Sequence, residues 1–393
     1  MFERIIFKNA PGGGPLIDVG YLAEALIFYG HANVICNSAT LEYLASNIPP
    51  RVLLDLMKSQ RATFHYLNEQ VAVVTAGDAS GRPVHGLAQI AASDPSPTEK
   101  ATKAVLKSTT DKRVVREIVS NLKVLSHAGF ETDQTLATLV DSEVTERAAL
   151  TGLRAVVPGV TLPDKPRFSL QREASGGFFI DTNIDFDIAV AAHRAAFPGS
   201  DTKITPAYLV ALVQGTYEDL HFAGQMNSEI AVGLVGRAMH TEILGAIVGK
   251  TLRSQEQLHA FTDLTLDSAH AIRDAVNRGQ VPFADIVRLL DRADKFRDWL
   301  QKQPPDSDLV KAYYKAVVAD TWVEKLPGKS SRWGVFTAAG LAIDACGAGG
   351  LGTLAGVALS ALDAFVLDKV IGGWKPHHFV ERDLMRTIQL DRD

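Results

Sequence analysis

Apolar positions in the first third of the chain recur with two different periods. Arg4–Lys8 and Ala32–Cys36 have strand character, and between them Leu16, Val19, Leu22 and Leu26 recur at helical spacing over Leu16–Tyr29. Thr40–Ala45 and Arg51–Met57 continue as short helices. Ala62–Tyr66 and Val71–Thr75 read as two strands of a hairpin that turns at Asn68 and Glu69. Together these elements predict a small mixed α/β module over residues 1–92. Ser93–Pro97 has the composition of a linker. Beyond it the period becomes helical over residues 98–330. Val114, Val115, Ile118, Val119, Leu122 and Leu125 form one stripe, with Asp111 as N-cap and Gly129 as stop. The exception is a β-hairpin near residues 167–181, formed by Phe168–Gln171 and Gly177–Ile180. From Thr205 to Leu300 the pattern reads as a helical array, and Leu309–Val323 adds a further helix.

Residues 333–372 differ from the rest. An apolar run from Val335 to Ala345, which contains Gly340, leads into a hinge that holds Gly347, Gly349 and Gly352. A second run follows from Thr353 to Val370. Gly352, Gly356 and Ser360 recur every fourth residue and would leave one face nearly flat, so the segment reads as a tight helical hairpin. The second run would make a helix of roughly 27 Å, marginal for a hydrocarbon core of about 30 Å. Asp344 and Asp363 would each cost about 2.5–3.5 kcal/mol at mid-depth. A collar of Lys325, Lys329, Arg332, Lys369 and Lys375, with Trp333 and Trp374 at the edges, suits a membrane interface. The expected state is therefore a hairpin buried in protein, with membrane contact under a trigger. Residues 373–393 form a C-terminal tail.

With 393 residues the chain can build a large core, and its formal charge of −5 supplies no global attraction to nucleic acid. The one basic cluster is Lys100, Lys103, Lys107, Lys112, Arg113 and Arg116. It lacks the interleaved aromatics on which bases stack, so it reads as a solvated helix face and nucleic acid is not the expected partner. The N-terminus has no uninterrupted apolar run, which predicts a cytoplasmic protein. Cys36 and Cys346 are the only cysteines and predict reduced, buried thiols.

The candidate chemical motifs are sparse. Gly12, Gly13 and Gly14 lie between a strand and a helix, where a phosphate loop would sit, but no Lys-Ser or Lys-Thr follows, and an ordinary turn is expected. Asp181, Asn183, Asp185 and Asp187 resemble the start of a calcium loop. Phe186 stands where that loop needs glycine, so helix capping is the expected role. Glu218 with His221, Glu256 with His259, and Glu242 evoke a di-iron bundle. Their spacing along helices does not bring them together, and surface or capping roles are expected. Gly347–Gly352 matches a dinucleotide fingerprint with too little chain after it for that fold. No metal or cofactor is assigned, and catalytic residues are not identified.

Asp363-Ala364-Phe365-Val366-Leu367-Asp368-Lys369, followed by Gly373-Trp374-Lys375-Pro376 and Phe379, resembles the ending of a group of functionally uncharacterised bacterial proteins. Ala23–Tyr29 is similar to their openings. The resemblance implies a prokaryotic source and a setting in antiviral defence or stress response, and it assigns no residue a role. The expected fold is α+β and predominantly α. The leading functional expectation is a non-enzymatic effector that engages a second copy, another protein or a membrane through Gly340, Asp344, Gly347, Gly349, Gly352, Gly356, Ser360, Asp363 and Trp374. The alternative is an enzyme acting on nucleic acid or a phosphorylated ligand.

Overall fold

The computed structural model describes residues 2–9, 17–77, 81–91, 96–140, 143–174, 176–231, 234–244, 271–303, 376, 378–384 and 386–387. Five strands form a parallel sheet: β1 (Arg4–Phe7), β2 (His31–Cys36), β3 (Ala62–Leu67), β6 (Lys123–Leu125) and β9 (Glu229–Ile230). Their spatial order is β6-β3-β2-β1-β9. The chain therefore steps outward from β1 in one direction, then reverses to add β9 on the other side of β1.

Right-handed crossovers put connections made in opposite directions on opposite faces of such a sheet. The packing follows that rule. On one face lie α1 (Val19–Phe28), α2 (Ser38–Asn47), α3 (Pro50–Lys58), α4 (Pro97–Leu106) and α5 (Lys112–Asn121). They enclose a core with Ile5, Phe7, Val34, Cys36 and Phe64 of the strands. The same core takes in α11 (Ala271–Asn277), α12 (Phe283–Gln301) and a π-helical segment, His378–Leu384, whose Phe379 stacks on Phe296 at 5.0 Å between centroids. A Cβ at Gly20 would stand 2.2 Å from the Arg273 carbonyl oxygen, so glycine is what lets α1 and α11 approach.

The opposite face is covered by the C-terminal part of α9 (Pro206–Met226), where Phe222 and Ala223 meet Ile6, Ile35 and Leu67. Thr205 caps the start of α9 and accepts from the Tyr208 amide. Asn227 ends it in the left-handed conformation at φ 46°, which asparagine tolerates better than most residues.

The N-terminal part of α9 enters a different core. There Leu209, Val210, Leu212 and Val213 pack with α7 (Glu143–Val156), α8 (Phe186–Ala196) and a four-stranded antiparallel sheet. That sheet runs β4 (Glu69–Gly77), β5 (Pro83–Ala91), β8 (Phe178–Thr182), β7 (Phe168–Arg172). The remaining helices described are α6 (Thr132–Leu139) and α10 (Leu234–Leu244). One helix thus joins two sheets, and its middle turn lies between their cores.

The expectation of a predominantly α chain with a small N-terminal α/β module is corrected by this arrangement, a mixed α/β fold with two substantial sheets. The parallel sheet gathers strands from residue 4 to residue 230. Ala62–Leu67 and Glu69–Gly77 are not partners in a hairpin: the first is parallel to β2 and β6, and the second belongs to the other sheet. In β3 the less buried Thr63 and His65 alternate with buried Phe64 and Tyr66, a pattern that marks a strand without telling which sheet it joins. Gly129 does not stop α5, which ends at Asn121 and leads straight into β6.

Among the described residues no helix is long and apolar enough to cross a membrane. Cys36 is buried, and burial pushes its thiol up to about 12, so it is unreactive at neutral pH.

Candidate active site at the carboxyl edge of the parallel sheet

In open parallel sheets ligands bind beyond the carboxyl ends of the strands, at the point where the strand order reverses. Here that point lies between β1 and β9. On β1 the alternation that sends Ile5 and Phe7 into one core sends Ile6 to the α9 face, and Lys8 continues it one residue past the strand. A shallow, open cleft of about 10 Å3 lies there, lined by Ile6, Lys8, Asp219, Ile230 and Ala231.

Ionisable side chains converge behind it. Lys8 Nζ donates to Asp219 Oδ1 at 2.8 Å and lies 3.2 Å from Glu218 Oε2. Glu218 Oε1 is 2.5 Å from His127 Nε2. His127 stands two residues past β6, and its main-chain amide donates to Glu69 Oε2 at 3.0 Å, with Nδ1 3.4 Å from the same oxygen. Glu69, two residues past β3, also accepts from Gln89 of β5 at 2.9 Å, which ties the second sheet to the cluster. Asp219 Oδ2 lies 3.8 Å from His240 Nε2 of α10. The rings of Phe130 and Phe222 pack against both His127 and His221, at 5.3 to 5.9 Å between centroids.

The electrostatics follow from burial and pairing. Burial alone would lower the Lys8 ammonium, but Asp219 and Glu218 outweigh it and hold lysine above its ordinary range. Burial would raise Glu218, yet Lys8 and His127 together bring its carboxyl below the usual value. The His127 amide lowers Glu69. Burial, helped by His127, lowers His221 and keeps that imidazole neutral at pH 7.

Two carboxylates, Glu218 and Asp219, thus face the Lys8 ammonium, and a third, Glu69, faces His127. Asn9 Oδ1, His127 Nδ1, Gln214 Nε2, His221 Nε2 and His240 Nε2 are buried with no hydrogen-bond partner among the described residues, and all but Gln214, one turn earlier on α9, belong to this cluster or stand within two residues of it. Buried polar atoms without partners are rare in folded proteins and mark places where water or a ligand is to be accommodated. His240 Nδ1 is 2.6 Å from the Gly236 carbonyl, which can only accept, so Nδ1 carries the proton. Its Nε2, with no hydrogen-bond partner among the described residues, faces the Asp219 carboxylate at 3.8 Å.

The start of α1 is not an anion site. The Tyr21 amide donates to Asp18 Oδ1 at 2.9 Å and the Gly20 amide to Asn277 Oδ1 at 2.8 Å, and Arg273 Nε donates to Asp18 Oδ2 at 2.7 Å. Gly12–Gly14, in the preceding connection, lie outside the described residues.

Most of the residues singled out in the sequence are not brought to this site. Gly340, Asp344, Gly347, Gly349, Gly352, Gly356, Ser360, Asp363 and Trp374 lie outside the described residues, as do Cys346, Glu256 and His259. Lys100, Lys103, Lys107, Lys112, Arg113 and Arg116 lie on α4 and α5, whose apolar faces are buried in the first core. Lys103 pairs with Glu99, Lys107 with Glu42 and Arg113 with Glu117, which also takes Lys58. Half of that cluster is tied up in ion pairs, which reduces its free positive charge. No mobility shift with single-stranded or duplex probes is therefore expected at about 150 mM salt. Submicromolar binding that Lys103→Glu with Lys107→Glu weakens would overturn this expectation.

Asp185 caps α8 by accepting from the Asp187 and Ile188 amides, the role expected for the acidic run after β8. Glu242 pairs with Arg147. Glu218 corrects its expected surface role: it is buried at the heart of the cluster. Its partners Lys8 and His127, and Glu69 behind His127, carry no local motif. The available signal is indirect: Gln214, Thr216 and Glu218 break the apolar pattern of α9 on its buried side.

No protein-family model matches the chain, and no curated protein or solved structure is detectably similar to it. Among the described residues no three His, Cys, Asp or Glu side chains are arranged to hold a metal ion.

Proposed function

We propose that this protein is an enzyme that binds a small metabolite bearing hydroxyl or amino groups in the crevice between β1 and β9 and moves a proton on it. The observation that carries this reading is the meeting of Lys8, Glu69 and His127, from the ends of three parallel strands, with Glu218 and Asp219 of α9 at the point where the strand order reverses. A network with more carboxylates than cations is costly to bury, and such cost gathers at functional sites.

Lys8 and Asp219 line the cleft and are the groups placed to touch a ligand. Glu218 and His127, 2.5 Å apart behind them, are within proton-transfer reach of each other, and Glu69 holds His127 in position. The excess of acceptors favours a ligand that donates hydrogen bonds. A phosphate on that ligand would be repelled by the carboxylates and would have to point away from them.

The test is thermal stabilisation by a panel of nucleosides, sugars, their phosphates and amines. A ligand at a hundred times its Kd adds about 2.7 kcal/mol, which corresponds to a Tm rise of several degrees. At least one class is expected to raise the Tm of the wild type and to lose its effect in a folded Asp219→Asn protein. No response from any class, or an equal response in the variant, would contradict the proposal.

A further inference from the structure

We infer that His193 and Ser200 form a second reactive site, a serine nucleophile with its general base, suited to esters of small acyl groups. His193 lies in the last turn of α8 and is buried, with 6% of its surface exposed. Its Nδ1 is 3.1 Å from the Val156 carbonyl oxygen. A carbonyl only accepts, so Nδ1 carries the ring proton and Nε2 presents its lone pair. Ser200 Oγ stands 3.0 Å from that lone pair and donates its one proton to Thr202 Oγ1, also at 3.0 Å, so a rotation about its Cβ–Oγ bond is what turns the proton to the ring.

The chain after α8 is folded to make this contact. The Ser200 amide donates to the Phe197 carbonyl at 3.0 Å, a turn that brings the hydroxyl back over the helix end. The Thr202 amide donates to Ser200 Oγ at 3.3 Å and steadies it. Nucleophile, base and a third group that fixes the tautomer of the base make up the arrangement that activates a serine. The site is also open. Ser200 is half-buried, Gly199 beside it is exposed and has nothing within 4 Å of where a Cβ would stand, and the exposed Phe197 ring packs on His193 at 5.1 Å between centroids. An apolar platform beside an accessible hydroxyl suits a small uncharged acyl group.

In the reaction Ser200 Oγ bonds to the acyl carbon as its proton passes to His193 Nε2. The bond from that carbon to the leaving alcohol breaks, and the alcohol takes the proton from Nε2. Water, deprotonated by His193, then cleaves the acyl-serine to a carboxylic acid, and Ser200 regains its proton.

A fluorophosphonate probe tests this, because the same step forms a serine–phosphorus bond and expels fluoride. One adduct is expected on the native protein, mapped to Ser200 and absent in Ser200→Ala. In His193→Gln, which keeps a polar side chain at the position but no base, labelling should slow about 100-fold. Urea-unfolded wild type should not label. No adduct on the native protein, an adduct at another residue, equal rates in folded His193→Gln, or equal rates in the native and unfolded wild type would each overturn the inference.

Discussion

Lys8→Met is expected to destabilise the protein by about 3–5 kcal/mol at pH 7, because it leaves Glu218 and Asp219 buried beside each other with no ammonium between them. The pH dependence should change as well. In the wild type Glu218 titrates below its ordinary value, so its contribution is present above the unfolded carboxyl range and is lost only as pH falls through the depressed folded value. Lys8 titrates above its ordinary value, so its contribution is present below the unfolded lysine range and is lost only as pH rises through the higher folded value. Between these limits the pair's contribution is flat. In Lys8→Met the unpaired carboxylates instead favour proton uptake, and the deficit relative to wild type should shrink as the pH is lowered from 7.5 to 5. Urea unfolding at the two pH values measures this. An unchanged midpoint, or a deficit that grows on acidification, would show that the lysine is not what compensates those carboxylates.

A comparable loss, about 3–5 kcal/mol, is expected for Arg297→Ala in the first core. This guanidinium is 2% exposed. Nη1 donates to the Leu26 carbonyl at 2.9 Å and Nη2 to the Leu290 carbonyl at 2.7 Å, and the group pairs with Asp294, which also holds Arg61. Leu26 is in the last turn of α1, where carbonyls have no partner within the helix, so removing the arginine strands a buried acceptor as well as opening a cavity. Arg297→Lys should recover less than half of the loss, since a single ammonium lacks the planar fork that reaches two carbonyls and a carboxylate. Thermal denaturation of the two variants gives the comparison, and a lysine variant as stable as the wild type would count against the fork.

How far the fold can be read in the sequence depends on the length of each element. β1, β2 and β3 carry enough branched and aromatic residues to be recognised, and the caps Asp111, Asp185 and Thr205 mark the starts of α5, α8 and α9. β6 and β9, three and two residues long, are too short to show a period and are strands only because β3 and β1 pair with them. Missing those two hides the parallel sheet, and with it the reversal that places the site. The site residues are invisible for the same reason: Lys8, Glu69 and His127 are far apart in sequence and are joined by strand order alone. Glu218 is visible, but as half of a Glu-x-x-His pair whose histidine in fact packs against Phe130 and Phe222.

A ligand held in the crevice beside Lys8 and Asp219 should be sensed by the histidines that flank it. The most direct measurement is the histidine side-chain NMR spectrum of the protein, labelled with nitrogen-15, during titration with the same nucleosides, sugars, phosphates and amines. His127 and His240, on either side of the Lys8, Glu218 and Asp219 cluster, are predicted to shift with at least one compound, while His31, at the start of β2 and bonded to Gln60 and Thr63, and His65, in the middle of β3 and bonded to Asn33, stay in place. Shifts confined to His31 and His65, or an unchanged His127 and His240 with every compound in a folded protein, would contradict the account.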